Sequence, residues 1–217
     1  MRTITFDQKN SWEDYGVLTL TISCPEPEVK IAKVEIPGRD GDLDMTEAVA
    51  GHPVYNNRPL EFLFRAVSDD TTASKDKRNE LVEDIHGKVI NVSVDDEDYS
   101  YRGRASVTTE TDAGYYVDFM VSVDAEPFKK GTAQEATSSV TTTETAVDLT
   151  NNGDSWETPT VTTNGDITMK IGTTTVVHSG GTFTAPFSLE PHETTSVIVS
   201  SEDATTVTFT WTEGHIV

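Results

Sequence analysis

Apolar and polar residues alternate along most of this chain, a period of two that fits half-buried strands and fits no helix. Gly16-Val17-Leu18-Thr19-Leu20-Thr21-Ile22 alternates over a full strand length, and Thr3-Ile4-Thr5-Phe6 opens the chain in the same way. Pro59 to Val67, Val89 to Val94, Ser100 to Val107 and Tyr115 to Ala125 continue the pattern. A second series follows near Thr145–Leu149, Thr158–Thr163, Ile167–Ile171, Thr174–His178, Phe183–Phe187, Ser196–Ser200 and Val207–Trp211. Turn signals at Asn151-Asn152-Gly153, Asn164-Gly165-Asp166 and Ser179-Gly180-Gly181 separate most of these runs, as in a β-sandwich. No fixed-period repeat is present, which excludes a solenoid or propeller.

One helix breaks the alternation. From about Ala73 to His86, Leu81, Val82 and Ile85 form a compact apolar stripe, and Gly87 suits the position just past the helix end. Val89–Val94 and Ser100–Val107 flank the acidic run Asp95-Asp96-Glu97-Asp98, a hairpin pattern. Between Lys30–Glu35 and Pro59, Ile36-Pro37-Gly38-Arg39-Asp40-Gly41 forces the chain out of any ladder and opens a long, turn-rich excursion to about Asn57.

Basic residues divide the chain. Residues 1–131 hold 15 Lys and Arg, and residues 132–217 hold only Lys170. The latter stretch contains 24 threonines, a composition that favours pleated strands. The expectation is a mainly β protein of two domains, residues 1–131 and 132–217. Thr132 to Ser139 reads as linker-like. The first would be a sandwich-like domain with one helix and a hairpin, the second a β-sandwich.

At 217 residues the chain can bury cores without disulfide or metal staples. Cys24 is the only cysteine, so neither an intrachain disulfide nor a thiolate zinc cluster can form. The formal charge is −21, which opposes nonspecific attraction to phosphate backbones and anionic lipid. The N-terminal residues lack the apolar stretch of a secretory signal, and no run approaches a spanning helix. A soluble protein made in a cytoplasm is expected.

Candidate chemistry is sparse. Asp40, Asp42 and Asp44 alternate as calcium ligands can, but Met45 and Gly51 stand where an EF-hand loop needs glycine and glutamate. The Asp95–Asp98 carboxylates suit a solvated turn, and a glycosidase would need two carboxyls across a sugar cleft. His52, His86, His178, His192 and His215 show no paired-ligand spacing. No nucleophile elbow, P-loop or dinucleotide fingerprint occurs, and Cys24 has no neighbouring cation in sequence to lower its pKa. No catalytic residue, metal site or cofactor is assigned. Trp156 and Trp211 suit the core, with stacking on sugar rings as the alternative.

Taken in order, the first-half motifs resemble the distal tail protein family of long, non-contractile-tailed bacteriophages. The carrying residues are Phe6-Asp7, Tyr15-Gly16-Val17 and Lys33-Val34-Glu35-Ile36-Pro37-Gly38-Arg39-Asp40-Gly41-Asp42-Leu43-Asp44. Tyr55-Asn56-Asn57-Arg58, Asp84-Ile85-His86-Gly87-Lys88, Tyr99-Ser100-Tyr101-Arg102-Gly103-Arg104 and Ala125-Glu126-Pro127-Phe128-Lys129 follow. Weaker cues in the second half are Asn152-Gly153, Thr158-Pro159-Thr160-Val161 and Ser188-Leu189-Glu190-Pro191-His192, where His192 replaces a frequent glycine.

The resemblance implies a structural virion protein without catalytic activity. Six copies would form a ring through their N-terminal domains, between the tail tube and the tail-associated fibre or lysin protein. The C-terminal domains would be galectin-like sandwiches projecting outward, and DNA would meet the ring only as the transiting genome. Pro37, Gly38, Arg39, Asp40, Asp42, Asp44, Tyr55 and Arg58 are the candidate subunit contacts, with the excursion acting as an arm and its arginines meeting a neighbour's carboxylates. The alternative is a carbohydrate-binding module for host wall polysaccharide. A calcium-dependent or hydrolytic enzyme ranks third.

Overall fold

The alternation of the sequence becomes alternation of burial. From Arg58 to Val67 every second side chain, namely Arg58, Leu60, Phe62, Phe64 and Ala66, is buried. The computed structural model describes residues 2–95 and 97–217. Met1 lies outside the described residues, as does Asp96, one of the expected hairpin-tip carboxylates. The chain is mainly β and divides into two compact units, Met1–Lys129 with Ile216–Val217, and Lys130–His215.

The first unit runs β1 (Ile4–Phe6), β2 (Lys9–Asn10), β3 (Val17–Ser23), β4 (Lys33–Val34), β5 (Leu43–Asp44), β6 (Arg58–Val67), α1 (Thr71–Ile85), β7 (Val89–Val94), β8 (Tyr101–Asp112) and β9 (Tyr116–Ala125). One seven-stranded sheet has the order β2-β1-β7-β8-β9-β6-β3, with its pairs antiparallel. Its core gathers the inward residues of β1, β6, β7, β8 and β9 with Leu81 and Ile85 of α1. Phe6 meets Phe62 and Phe64 edge-on, with centroids 6.3 and 5.9 Å apart, and Phe64 stacks on Phe119 at 5.6 Å.

The helix starts two residues earlier than expected because Asp70 caps it, accepting from the Thr72 amide. It ends as expected before Gly87, whose φ of +75° a side chain would oppose. Gly103 is needed for room: a Cβ there would lie 2.4 Å from the Asp124 carbonyl oxygen. Lys30–Glu35, ahead of the turn, contains only the two-residue β4, whose partner is the equally short β5.

The second unit contains β10 (Lys129–Val140), β11 (Thr145–Asn151), β12 (Thr160–Thr163), β13 (Ile167–Ile171), β14 (Thr174–His178), β15 (Gly181–Thr184), β16 (Glu193–Ser200) and β17 (Thr205–His215). Its four-stranded sheets have the orders β10-β17-β12-β15 and β11-β16-β13-β14. Leu149, Met169 and Val199 of one sheet share a core with Val161, Phe209 and Trp211 of the other, which makes a sandwich. Thr132–Ser139 is not a linker: it lies inside β10, since β17 gives its polar backbone a ladder partner. The threonine content has a physical use, as outward hydroxyls pair across strands in Thr137–Thr208, Thr150–Thr194 and Thr162–Thr182 at 2.9, 2.9 and 3.1 Å.

Phe64 is fully buried between Phe6 and Phe119. Phe64→Ala should lower the stability of the first unit by about 3–5 kcal/mol in urea unfolding.

Candidate functional site

The excursion between β3 and β6 is an arm of its own construction. Its base closes where Lys30 N donates to the Val54 carbonyl at 2.7 Å and Asn56 N to the Glu28 carbonyl at 2.7 Å. Farther out, β4 pairs with β5, and the turn Glu35–Asp42 between them is exposed. Pro37, Gly38, Arg39, Asp40 and Asp42 therefore lie together at an exposed tip, and Gly38 takes a φ of +84° there. Asp44 lies on β5, where hydrogen bonds from the Thr46 hydroxyl and amide hold its carboxyl below the ordinary range. Among the described residues no group of three or more His, Cys, Asp or Glu is placed to hold a metal ion.

The arm also carries apolar side chains that this chain leaves in solvent. Ile31 is 66% exposed and Val49 fully so, with Val29, Val34, Ile36 and Met45 also exposed. Exposed apolar side chains gathered on one segment mark it as a candidate contact surface. The main sheet has open edges as well. β3 is a terminal strand, and β7 covers β8 only over Tyr101–Arg104. Past Ala105 and Val107, which bond to Gly87, Lys88 and His86, no described strand pairs with that side of β8. Long unpaired edges invite pairing with another chain.

Two of the proposed contact residues face inward. Tyr55 is half-buried, with its ring edge-on to Phe128 at 5.5 Å, although its own bridge to Val29 closes the arm. Arg58 corrects the expectation outright. It is 2% exposed, begins β6 rather than ending the arm, and pairs with no carboxylate among the described residues. Its Nη1 donates to the Ile216 carbonyl at 2.9 Å and to Pro127 at 3.3 Å, and its Nη2 donates to Cys24 at 3.2 Å. The Tyr101 ring lies 5.0 Å from the guanidinium carbon. Sequence cannot distinguish this arginine from Arg39, because β6 register alone turns it toward the core. Beside it, burial pushes the Cys24 thiol up, away from thiolate chemistry.

Other motif residues, distant in sequence, also touch. The Tyr15 hydroxyl donates to Asp84 Oδ2 at 2.9 Å, and Lys9 Nζ pairs with the same oxygen at 2.5 Å. The Lys9 bond first, then that of Tyr15, holds the Asp84 carboxyl below its usual range. Arg102 pairs with Glu126 at 3.0 Å, and Lys129 Nζ lies 5.1 Å from the Tyr99 ring. In the second unit the two tryptophans separate. Trp211 is 8% exposed within the core, which removes it as a sugar-stacking residue, whereas Trp156 is 40% exposed on the loop after β11.

No protein-family model matches the sequence, and no curated protein sequence matches it significantly. Among solved structures, the crystal structure of the Dit protein of phage SPP1 superposes with a TM-score of 0.69 over 97% of this chain and 98% of that one. The fold is that of SPP1 Dit. Identity across the match is 18%, so the likeness is one of fold. SPP1 Dit is described as a paradigm of the hub adsorption apparatus in phages that infect Gram-positive bacteria. No helix among the described residues of this Dit-like chain is long and apolar enough to cross a membrane.

Two outcomes follow from these contacts. Arg58→Lys keeps the charge but loses the planar fork, and should cost about 2–4 kcal/mol in chemical unfolding. Asp84, lowered in the folded state, contributes stability that is present above the ordinary aspartate pKa and lost as pH falls through the lowered value. Melting curves of Asp84→Asn should therefore be flatter than wild type across the acid range, and parallel curves would refute the assignment.

Proposed function

We propose that this chain is the distal tail, or hub, protein of a long-tailed bacteriophage: a structural component of the tail tip that acts without catalytic turnover. The observation that carries this reading is the fold shared with SPP1 Dit over essentially the full length of both chains. Residues 1–131 form a ring of six copies, and residues 132–217 make the C-terminal sandwich, galectin-like in kind, that projects from it. The ring joins the tail-tube protein on one side to the tail-associated fibre or lysin protein on the other. It is assembled in the host cytoplasm, uses no cofactor, and meets DNA only as the passing genome.

Physical features of the first unit favour assembly. Each copy offers an arm with apolar side chains in solvent and two open strand edges on opposite sides of the β8-β9-β6-β3 block. Complementary but different surfaces on one chain make head-to-tail contacts, which close into rings when the rotation divides the circle. With a charge of −21 per copy, the exposed Arg39 at the arm tip is a scarce cation for a neighbour's carboxylate. An acidic lumen would let DNA slide without adhering.

Light scattering over a concentration series tests the ring. Six chains of 23.7 kDa give about 142 kDa, and negative-stain images should show a central hole. Arg39→Glu should shift the mass toward monomer without lowering the melting temperature. A chain that stays monomeric alone and also when mixed with tail-tube protein would refute the hub.

A further inference from the structure

An asparagine followed by glycine carries a reaction of its own. The backbone nitrogen of the second residue can attack the side-chain amide carbon of the first and close a cyclic imide, and glycine has no side chain to obstruct the approach. Of the eight asparagines in the chain, Asn152 and Asn164 precede glycine. Both are exposed, and both lie in connections of the second unit. The two pairs are equivalent in sequence, and the fold treats them differently.

At Asn152-Gly153, between β11 and β12, the reacting groups are tied down. Gly153 is buried, and its N–H, the nucleophile, donates to Asn151 Oδ1 at 3.0 Å. Asn152 donates to Glu213 Oε1 from its backbone amide and from Nδ2, at 2.9 and 3.1 Å, and Glu213 is itself only 8% exposed. A Cβ on Gly153 would lie 2.8 Å from the Gly214 carbonyl oxygen, so the backbone there has little room to turn. Ring closure would first have to break this network.

At Asn164-Gly165, between β12 and β13, the nucleophile is weakly held. Gly165 N reaches Thr163 Oγ1 only at 3.4 Å, beyond the usual range for an N–H donor. The residue facing that nitrogen is Gly180, where a Cβ would lie 3.3 Å from it, so no side chain covers it from that direction. The electrophile, in contrast, is engaged in the useful sense. The Thr206 N–H donates to Asn164 Oδ1 at 2.8 Å, which stabilises the negative charge that gathers on this oxygen as nitrogen attacks.

We propose that Asn164-Gly165 is a self-modification site, at which the folded chain converts asparagine into aspartate and isoaspartate. Gly165 N gives its proton to hydroxide and bonds to Asn164 Cγ, the Cγ–Nδ2 bond breaks, and ammonia leaves. Water then opens the imide at either carbonyl, so the sum is one amide and one water giving one carboxylic acid and one ammonia. Opening at the Asn164 backbone carbonyl routes the main chain through the former side chain and adds a methylene to the turn that joins the two sheets of the sandwich. Either product places a new carboxylate in a turn whose Gly165 lines one depression with Asp166, Glu202 and Asp203. Asp40-Gly41 at the arm tip shares the following glycine, but a carboxylate is a poorer electrophile than an amide. The proposal depends on neither the ring nor a partner.

The test incubates the full chain in mildly alkaline buffer and cleaves timed samples after glutamate, which separates residues 145–157 from 158–190. Fragment 158–190, with Asn164 as its one asparagine, should gain about 1 Da at a rate roughly tenfold or more above that of fragment 145–157. It should also become a substrate for an isoaspartyl methyltransferase, and Asn164→Gln should abolish both changes. In urea the two fragments should change at comparable rates, because local sequence alone then acts. The proposal is overturned if fragment 145–157 of the folded chain changes first or equally fast. It is overturned as well if neither fragment changes over a time in which the urea-treated chain does.

Discussion

A guanidinium withdrawn from water without a carboxylate has to be solvated by the fold itself, and Arg58 is solvated by carbonyls from three separate stretches of chain. Those stretches are the end of β3, the exit from β9 and the C-terminal residues that rejoin the first unit. Satisfying one cation therefore sets where three segments run. Neutral acceptors also make the junction insensitive to carboxylate protonation, unlike the Asp84 cluster at the helix. The two terminal nitrogens of Arg58 reach the three carbonyls through a planar fork that a lysine ammonium does not supply.

The two units solve the shortage of apolar residues differently. The first concentrates phenylalanines around Phe64 and seals the core with the helix stripe, so that few large side chains bury much area. The second relies on small branched residues inward and threonine hydroxyls outward, paired across strands, which suits a surface meant to stay rigid in solvent. Six of the exposed large apolar side chains, Val29, Ile31, Val34, Ile36, Met45 and Val49, fall on the arm. Their concentration on one segment, in a chain otherwise rich in carboxylates, is where apolar and charged surface separate most clearly.

Elements whose determinants are local were legible residue by residue. The helix stripe, the stop at Gly87 and the alternation of β6 each depend on a few neighbouring residues, and the structure keeps them. Elements that depend on a distant partner were not. Thr132–Ser139 has the composition of a linker, and only β17 makes it a strand. Lys30–Glu35 has the composition of a strand, and the lack of a long partner leaves it mostly an exposed arm.

The same division runs through the candidate site. Sequence by itself determined a two-composition, mainly β chain, a long turn-rich excursion with Arg39 and the aspartates at its tip, and the absence of any catalytic motif, because period, turn chemistry and charge are carried by adjacent residues. Tertiary structure decided which arginine and which tryptophan are buried and which reach solvent. Arg58 and Arg39 are chemically identical, as are Trp156 and Trp211; strand register turns Arg58 and Trp211 inward, while Arg39 and Trp156 lie on connections in water.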